Sequence, residues 1–416
     1  MIIRKWRLIL AVALLLPLSA SSQEANSGIS VPVTISGNAR VSRNSGESSE
    51  SGGGFRALLS PSLRLGSHWF AYSVFGAQSS SYLTYSTGLD KDQAVRSTLI
   101  QAYVGYKADI HSASLLLKAG RLASAFGLYP LEYDDSKSPF IEPPPRYTAN
   151  LLLRPDQLPC NLTDMLRQSY DGDIQFHCGG SSAERYGMVP VTLYGIPGVE
   201  AQLSWNRLDA RLQLTNSSPA NPQSLLSRSQ SAQWTAGAGY SARAGLHVGM
   251  SGFRGPYLDH VLGPLLPAGT RLADFSATGI GVDAQWSGGP WSLEGEWQRF
   301  RFGVPGFLAS PSDQGAYVQV KRIVSPRVFA AIRGSVQKPG GATDAAGRAA
   351  SQIDARQETG EFVLGYRINR FQLLKTGFSY SNRNNWSLGN KYWPPEHRFG
   401  LEFQLVTSLN ALSKGF

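Results

Sequence analysis

Apolar and polar residues alternate with a period of two through most of this chain, and that pattern commits it to β-strands with two chemically different faces. In "VPVTISGNARV" (31–41), Val31, Val33, Ile35, Ala39 and Val41 share one face, while Thr34, Ser36, Asn38 and Arg40 share the other. "GIGVDAQW" (279–286), "WSLEGEWQ" (291–298) and "RFGLEFQL" (398–405) alternate in the same way. Sixteen such strands are predicted, near 30–43, 54–66, 68–80, 95–108, 112–121, 197–206, 208–216, 230–243, 245–254, 274–287, 291–302, 314–324, 326–338, 356–368, 371–383 and 397–408.

The connections are more informative than the strands. Seven are tight: Gly66-Ser67, Asp109 to His111, Arg207, Ala244, Gly288 to Pro290, Ser325-Pro326 and Asn369-Arg370. They alternate strictly with eight long ones, most of them rich in Gly, Ser, Pro, Asn and Asp. Short turns at one end, long loops at the other and an even strand count are the pattern of a transmembrane antiparallel β-barrel with both termini in the periplasm. A water-soluble sandwich also alternates, but sixteen strands are too many for one sandwich. The apolar face carries Trp205, Trp234, Trp286, Trp291 and Trp297 near strand ends, as an interfacial girdle requires. The predicted class is all-β, a closed membrane barrel of about 16 strands.

The N-terminus fits export. Arg4, Lys5 and Arg7 precede an apolar run from Leu8 to Leu18, and Ala20 and Ser22 suit a cut before Gln23. This reads as a signal peptide, 1–22, with a mature barrel from 23 to 416. The run is far short of the roughly 20 residues a spanning helix needs. The chain has 39 basic and 29 acidic residues. Removing three basic residues leaves 36 against 29, a net +7, which suits lipopolysaccharide or an anionic solute. Export, and the lack of Lys/Arg stripes interleaved with aromatics, argue against nucleic acid. Cys160 and Cys178, an even pair in an exported chain, suggest one disulfide, with two free thiols as the alternative.

One connection stands apart. Between strands ending near 121 and resuming near 196 lie about 75 residues, including "FGLYPLEYDDSKSPFIEPPPRY" (126–147). A loop this long in a compact domain is functional or disordered. Its many apolar residues argue for packing, and "NLTDMLRQS" (161–169) suits a short helix capped by Asn161.

Two stretches carry a resemblance. "RFGLEFQL" is similar to the C-terminal strand signal read by the barrel-assembly machinery, through Arg398, Gly400, Phe403 and Leu405, although the chain runs on to Phe416. "KAGRLASAFGLYP" (118–130) resembles the strand-to-loop junction of phosphate-selective and related sixteen-stranded Gram-negative porins. The resemblance implies a cell outer membrane location, a third loop (122–196) folded into the barrel to narrow it, and possible assembly as a homotrimer. The implied function is a water-filled channel for passive diffusion of small hydrophilic solutes or ions. The alternatives are a non-conducting structural or adhesive barrel and, behind it, a barrel enzyme.

The first half of that loop carries the candidate constriction residues Glu132, Asp134, Asp135, Glu142 and Arg146, with Lys137 and Arg154. Inward positions of the first and last strands carry the candidate pore-lining residues Arg40, Arg56, Arg64, Lys375 and Arg398. Barrel closure puts these basic residues on one wall, facing an acidic loop, so a transverse field and a modest anion preference are expected. The alternative is that the arginines simply solvate the lumen or pair with Glu361 and Glu402. There is no outer-loop lysine cluster to single out phosphate over a general or sugar-type solute. No cofactor, metal or catalytic group is expected. The six histidines are scattered, Asp171-Gly172-Asp173 lacks the rest of an ion loop, and "GAGYSA" (237–242) lies in a strand, where glycines make room for neighbouring aromatics.

Overall fold

The computed structural model describes residues 28–45, 49–79, 95–128, 134–148, 151–166, 175–181, 187–191, 195–216, 218, 232–243, 245–384, 386–388 and 391–415. The signal-peptide segment, Glu132 and Asp171 to Asp173 lie outside these residues.

Every predicted segment forms a strand. In chain order they are β1 (Gly28–Asn44), β2 (Glu50–Leu59 and Ser62–Leu65), β3 (Trp69–Ser79), β4 (Val95–Ile110), β5 (Ala113–Leu122), β6 (Ile196–Trp205), β7 (Leu208–Thr215) and β8 (Gln233–Arg243). There follow β9 (Leu246–Pro256), β10 (Ser276–Gly288), β11 (Trp291–Phe302), β12 (Ser312–Ser325), β13 (Val328–Pro339), β14 (Gln357–Arg367), β15 (Gln372–Arg383) and β16 (Glu396–Gly415). The large sheet has 17 segments. The two pieces of β2 lie between the same neighbours, β1 and β3, so among the described residues this sheet has sixteen strands, and short strands in the long connections form two small sheets besides. The break falls at Ser60-Pro61, where proline has no N–H to give the ladder.

Each strand pairs antiparallel with its neighbours in sequence, and β1 pairs with β16 from Gly28↔Gly415 to Asn44↔Arg398. The sheet is therefore a closed barrel. β16 runs to Gly415, well beyond the predicted end at 408, because the first residues of β1 give that tail a ladder to join. The tight turns include His111 (φ 55) and Asn206 (φ 52), and Gly66, Gly245 and Gly289, all with positive φ.

Burial is inverted relative to a water-soluble protein. Val104, Leu203, Leu212, Val282, Val318, Ile332 and Leu401 are exposed, while Ser36, Arg56, Thr235, Gln298, Arg333, Lys375 and Gln404 are buried. Successive residues of a strand face opposite ways, so the apolar set makes one continuous outer belt and the polar set faces inward. Trp205, Trp286 and Trp291 are exposed beside the tight turns, and Trp234 is exposed near the other rim.

The belt is tested by charge. Val282→Arg, central in β10, is expected to destabilise the barrel in lipid vesicles by about 2–4 kcal/mol. Denaturant titration in vesicles reads this. A neutral effect would mean that this face does not meet lipid.

Candidate functional site: the third loop and the inner wall

β5 ends at Leu122 and β6 begins at Ile196, and the chain between them is tied to inward side chains from many strands. It leaves β5 under close control. Gln213 on β7 accepts from Ala125 N (3.1 Å) and donates to Ala123 O (2.7 Å). Phe126 is fully buried, edge-on to Phe253 and beside Phe300, at ring separations of 5.0 and 5.5 Å. Gly127 has φ 75, and a Cβ there would collide with the Tyr147 hydroxyl and the Glu296 carboxylate. This is the Phe-Gly of the porin-like junction, and glycine is required both for the backbone and for the space. Gly127 N donates to Ser251 Oγ (3.1 Å), Leu128 N donates to Glu296 Oε1 (3.2 Å), and Gly127 O accepts from Arg211 Nη2 (3.0 Å).

The acidic pair comes next. Asp134 closes a local turn by accepting from Ser136 N (2.8 Å). Asp135 is 4% exposed and meets three strands. Its carboxylate accepts from Ser36 Oγ on β1 (2.7 Å) and Arg56 Nε on β2 (3.0 Å), and its carbonyl accepts from Lys375 Nζ on β15 (2.7 Å). Burial pushes the Asp135 carboxyl up, but Arg56 and Lys375 outweigh it and hold it below its usual value. Lys375 also donates to Phe140 O (3.2 Å). Lys137 and Phe140 line a cavity of ≈ 270 Å³ with Gln285, Glu294 and Lys321 of β10 to β12.

Past Phe140 the chain meets the remaining candidates. Glu142 accepts from Arg40 Nη1 (2.8 Å), and Arg40 also faces Glu402 (3.4 Å). Arg333 on β13 donates to the carbonyls of Glu142 (2.8 Å) and Pro143 (3.2 Å), pairs with Glu361 (2.7 Å), and lies over the Phe140 ring (4.2 Å). The triple proline thus offers acceptors to the wall and no amide that would need burying. Arg146 pairs with Asp313 and stacks on Phe300 (4.5 Å), and Tyr147 Oη donates to Glu296 Oε2 (2.7 Å).

The expected basic wall is therefore only partly assembled. Arg40, Arg56 and Lys375 converge on the loop, each engaged by loop atoms. Arg398 lies further out, near Ser42 (3.2 Å) and Glu50 (3.7 Å). Arg64 is exposed, opposite Phe70 beside a tight turn, and does not join the cluster. Sequence reasoning missed Glu296, Gln298 and Asp313. For Glu296 and Gln298 the signal was their place on the polar face, on either side of Trp297; Asp313, at the start of β12, had none. In "GAGYSA" the glycines make room for charge instead of aromatics: a Cβ at Gly237 would press on Arg211, and one at Gly239 on His247 and Asp209.

The second half of the loop packs differently. Cys160 and Cys178 form a disulfide, and a helix spans Leu162–Leu166, with Asn161 Oδ1 accepting from Asp164 N (3.0 Å). Asp164 also accepts from the amides of Cys160 (2.9 Å) and His177 (3.0 Å), and Asp344 accepts from Leu162 N (3.1 Å). Leu151 to Leu153, Leu162, Met165 and Phe176 join Tyr257, Leu262, Val304 and Ile353 in one apolar cluster. It sits over the long-loop ends of β9 to β13, and each fully buried side chain contributes about 1.5–3 kcal/mol.

Three outcomes follow. Asp135→Asn strips the counter-charge from buried Arg56 and Lys375 and is expected to weaken docking by about 3–5 kcal/mol. Protease then cuts within 134–148 while the barrel keeps its heat-modifiable gel mobility; unchanged resistance would contradict the anchoring. Because Asp135 is held below its ordinary value, its contribution is complete above that value and is lost as pH falls through the lowered one. Resistance should thus be equal at pH 7 and pH 5 and fall only in stronger acid. Replacing Cys160 and Cys178 by Ser opens a closure of 18 residues, a loss of about 3 kcal/mol local to the loop. New cleavage between them with unchanged barrel unfolding is expected; a destabilised barrel would contradict it.

No protein-family model and no curated protein matches the chain. Solved structures do. OprB of Pseudomonas putida aligns over 94% of this chain and 100% of its own, at 10% identity and a TM-score of 0.56. The outer membrane channel DcaP of Acinetobacter baumannii also covers 94% and 100%, at 10% identity and 0.55. An anion-selective porin from Comamonas acidovorans covers 92% and 100%, at 11% identity and 0.52. Such likeness speaks to the fold alone, and with the closed ladder and outer apolar belt it gives this chain the sixteen-stranded barrel fold seen in these outer-membrane channels.

Proposed function

We propose that the protein forms a water-filled channel for passive diffusion of small hydrophilic solutes across the outer membrane, with the third loop as its constriction. The observation that carries this reading is the set of loop groups bonded to inward side chains of β1, β2, β7, β9, β11, β12, β13 and β15. A segment so tied narrows the bore of a barrel that is otherwise wide enough for water. Assembly as a homotrimer belongs to this proposal and rests on the porin resemblance.

A modest anion preference is the expected sign, from the net +7 of the mature chain. It stays modest because the inner cations are matched one by one: Arg56 by Asp135, Arg40 by Glu142 and Glu402, Arg333 by Glu361, and Arg146 by Asp313. A cation on the inner face that meets a loop carbonyl and no loop carboxylate, Arg211 at Gly127 O, then sets the bias. The non-conducting reading draws on the complete burial of the loop's Phe126 and Tyr147 against the wall and of Lys375 beneath the loop.

Planar-bilayer recording of the refolded barrel separates these readings. Stable nanosiemens-range steps, with a reversal potential on the anion side in a KCl gradient, support the proposal. Cation preference keeps the channel and makes the loop carboxylates dominant. A folded barrel that never conducts moves the protein to the structural or adhesive reading.

A further inference from the structure

The outer surface of the barrel carries a second charged feature, remote from the bore. Along β11, Trp297, Arg299 and Arg301 alternate with inward Gln298, Phe300 and Phe302, so both arginines face outward. Arg299 lies opposite Gln314 on β12, and Gln314 lies opposite Lys338 on β13. One step further toward the long loops, Arg254 on β9 lies opposite Thr278, and Thr278 lies opposite Arg301. Directly below, toward the tight turns, these strands present Met250, Ile280, Val282, Val318 and Ile332, all exposed. The basic row therefore sits on the rim of the apolar belt at the long-loop end.

Arg299, Arg301 and Lys338 have no side-chain hydrogen bond, ion pair or ring contact among the described residues. At the opposite rim cations are engaged: Arg322 stacks on Trp291 (4.9 Å) and Arg370 on Phe371 (4.5 Å). The nearby outward carboxylate, Glu358, is taken by Arg356 (2.6 Å). Between the free cations lies a groove of ≈ 460 Å³ lined by Arg299, Ser312, Gln314, Lys338, Ser351 and Gln352. That size is within the roughly 300–1,000 Å³ of small-ligand clefts. Its lining holds two cations, hydroxyls and amides, and no acid.

We propose that this groove binds the phosphate headgroup of an acyl-chain lipid of the outer leaflet. A headgroup at this height leaves its acyl chains against the belt below. Guanidinium and ammonium groups suit its phosphate, as a fork and a point charge respectively. Like charges held together at a low-dielectric boundary repel, and an anion between them relieves that repulsion. The phosphates of a lipid A-type glycolipid and of phosphatidylglycerol share this chemistry, so the test must separate them.

Native mass spectrometry of the refolded full-length barrel in detergent, titrated with each lipid, provides the test. The probes are diphosphoryl lipid A, the same lipid dephosphorylated, and phosphatidylglycerol. Wild type should retain diphosphoryl lipid A and lose the dephosphorylated form. Lys338→Gln should weaken retention about fivefold, and the triple variant R299Q/R301Q/K338Q on the order of a hundredfold. Arg322→Gln, at the other rim, should change nothing. Preference for lipid A assigns the site to the glycolipid, and equal retention of phosphatidylglycerol assigns it to ordinary phospholipid. Lys338→Gln, fully folded and retaining lipid like wild type, overturns the proposal, as does equal retention of the dephosphorylated lipid.

Discussion

Closure of the ladder between β1 and β16 is the constraint on which the rest depends. In hydrocarbon a backbone amide has no water to turn to, so a sheet can cross a membrane only if its two edges pair. Here the first and last strands pair over the whole of β1, with one irregularity between Ser30 and Pro32. Once that seam closes, every strand has one face to lipid and one to the interior. The period-two alternation then becomes an inverted protein, with leucine and valine outside and arginine, lysine and glutamine inside.

An inverted interior changes what a long loop meets there. In a soluble protein it would lie on apolar side chains. Here, beside a few apolar contacts such as Phe126 on Phe253 and Phe300, it meets charges and amides, and each buried charge must be answered because one without a partner is costly. The loop's answers are local and varied: carboxylates for Arg56 and Arg40, carbonyls for Lys375 and Arg333, amides for Glu296 and Ser251. The apolar part of the loop continues from Phe126 and Tyr147 on the wall into a larger cluster. It gathers with the other long connections under a disulfide, where a conventional core can form.

Much of this was legible in the sequence, and the reason is physical. Strand alternation, tight turns and tryptophan positions are local properties, so all sixteen segments appear where the period-two pattern put them. The end of β16 was misread because the tail after 408 takes its structure from a distant partner, Gly28 to Pro32. The pairing of inner charges was out of reach for the same reason. Asp135 and Lys375 are 240 residues apart, Arg333 and Glu142 191. Phe126-Gly127 could be singled out because its chemistry is local. What it packs on, Phe253, Phe300 and Glu296, follows only from closure.

The described loop residues 123–128 and 134–147 are docked on the inner wall and stay there. Hydrogen–deuterium exchange of the refolded barrel in lipid bilayers reads this directly, through the amides of Ala125, Gly127 and Leu128. All three donate to wall side chains, so exchange slowed to the range of the neighbouring strands is predicted. Exchange at the rate of an unstructured peptide, with the strands still protected, would contradict the docked loop and the constriction proposed from it.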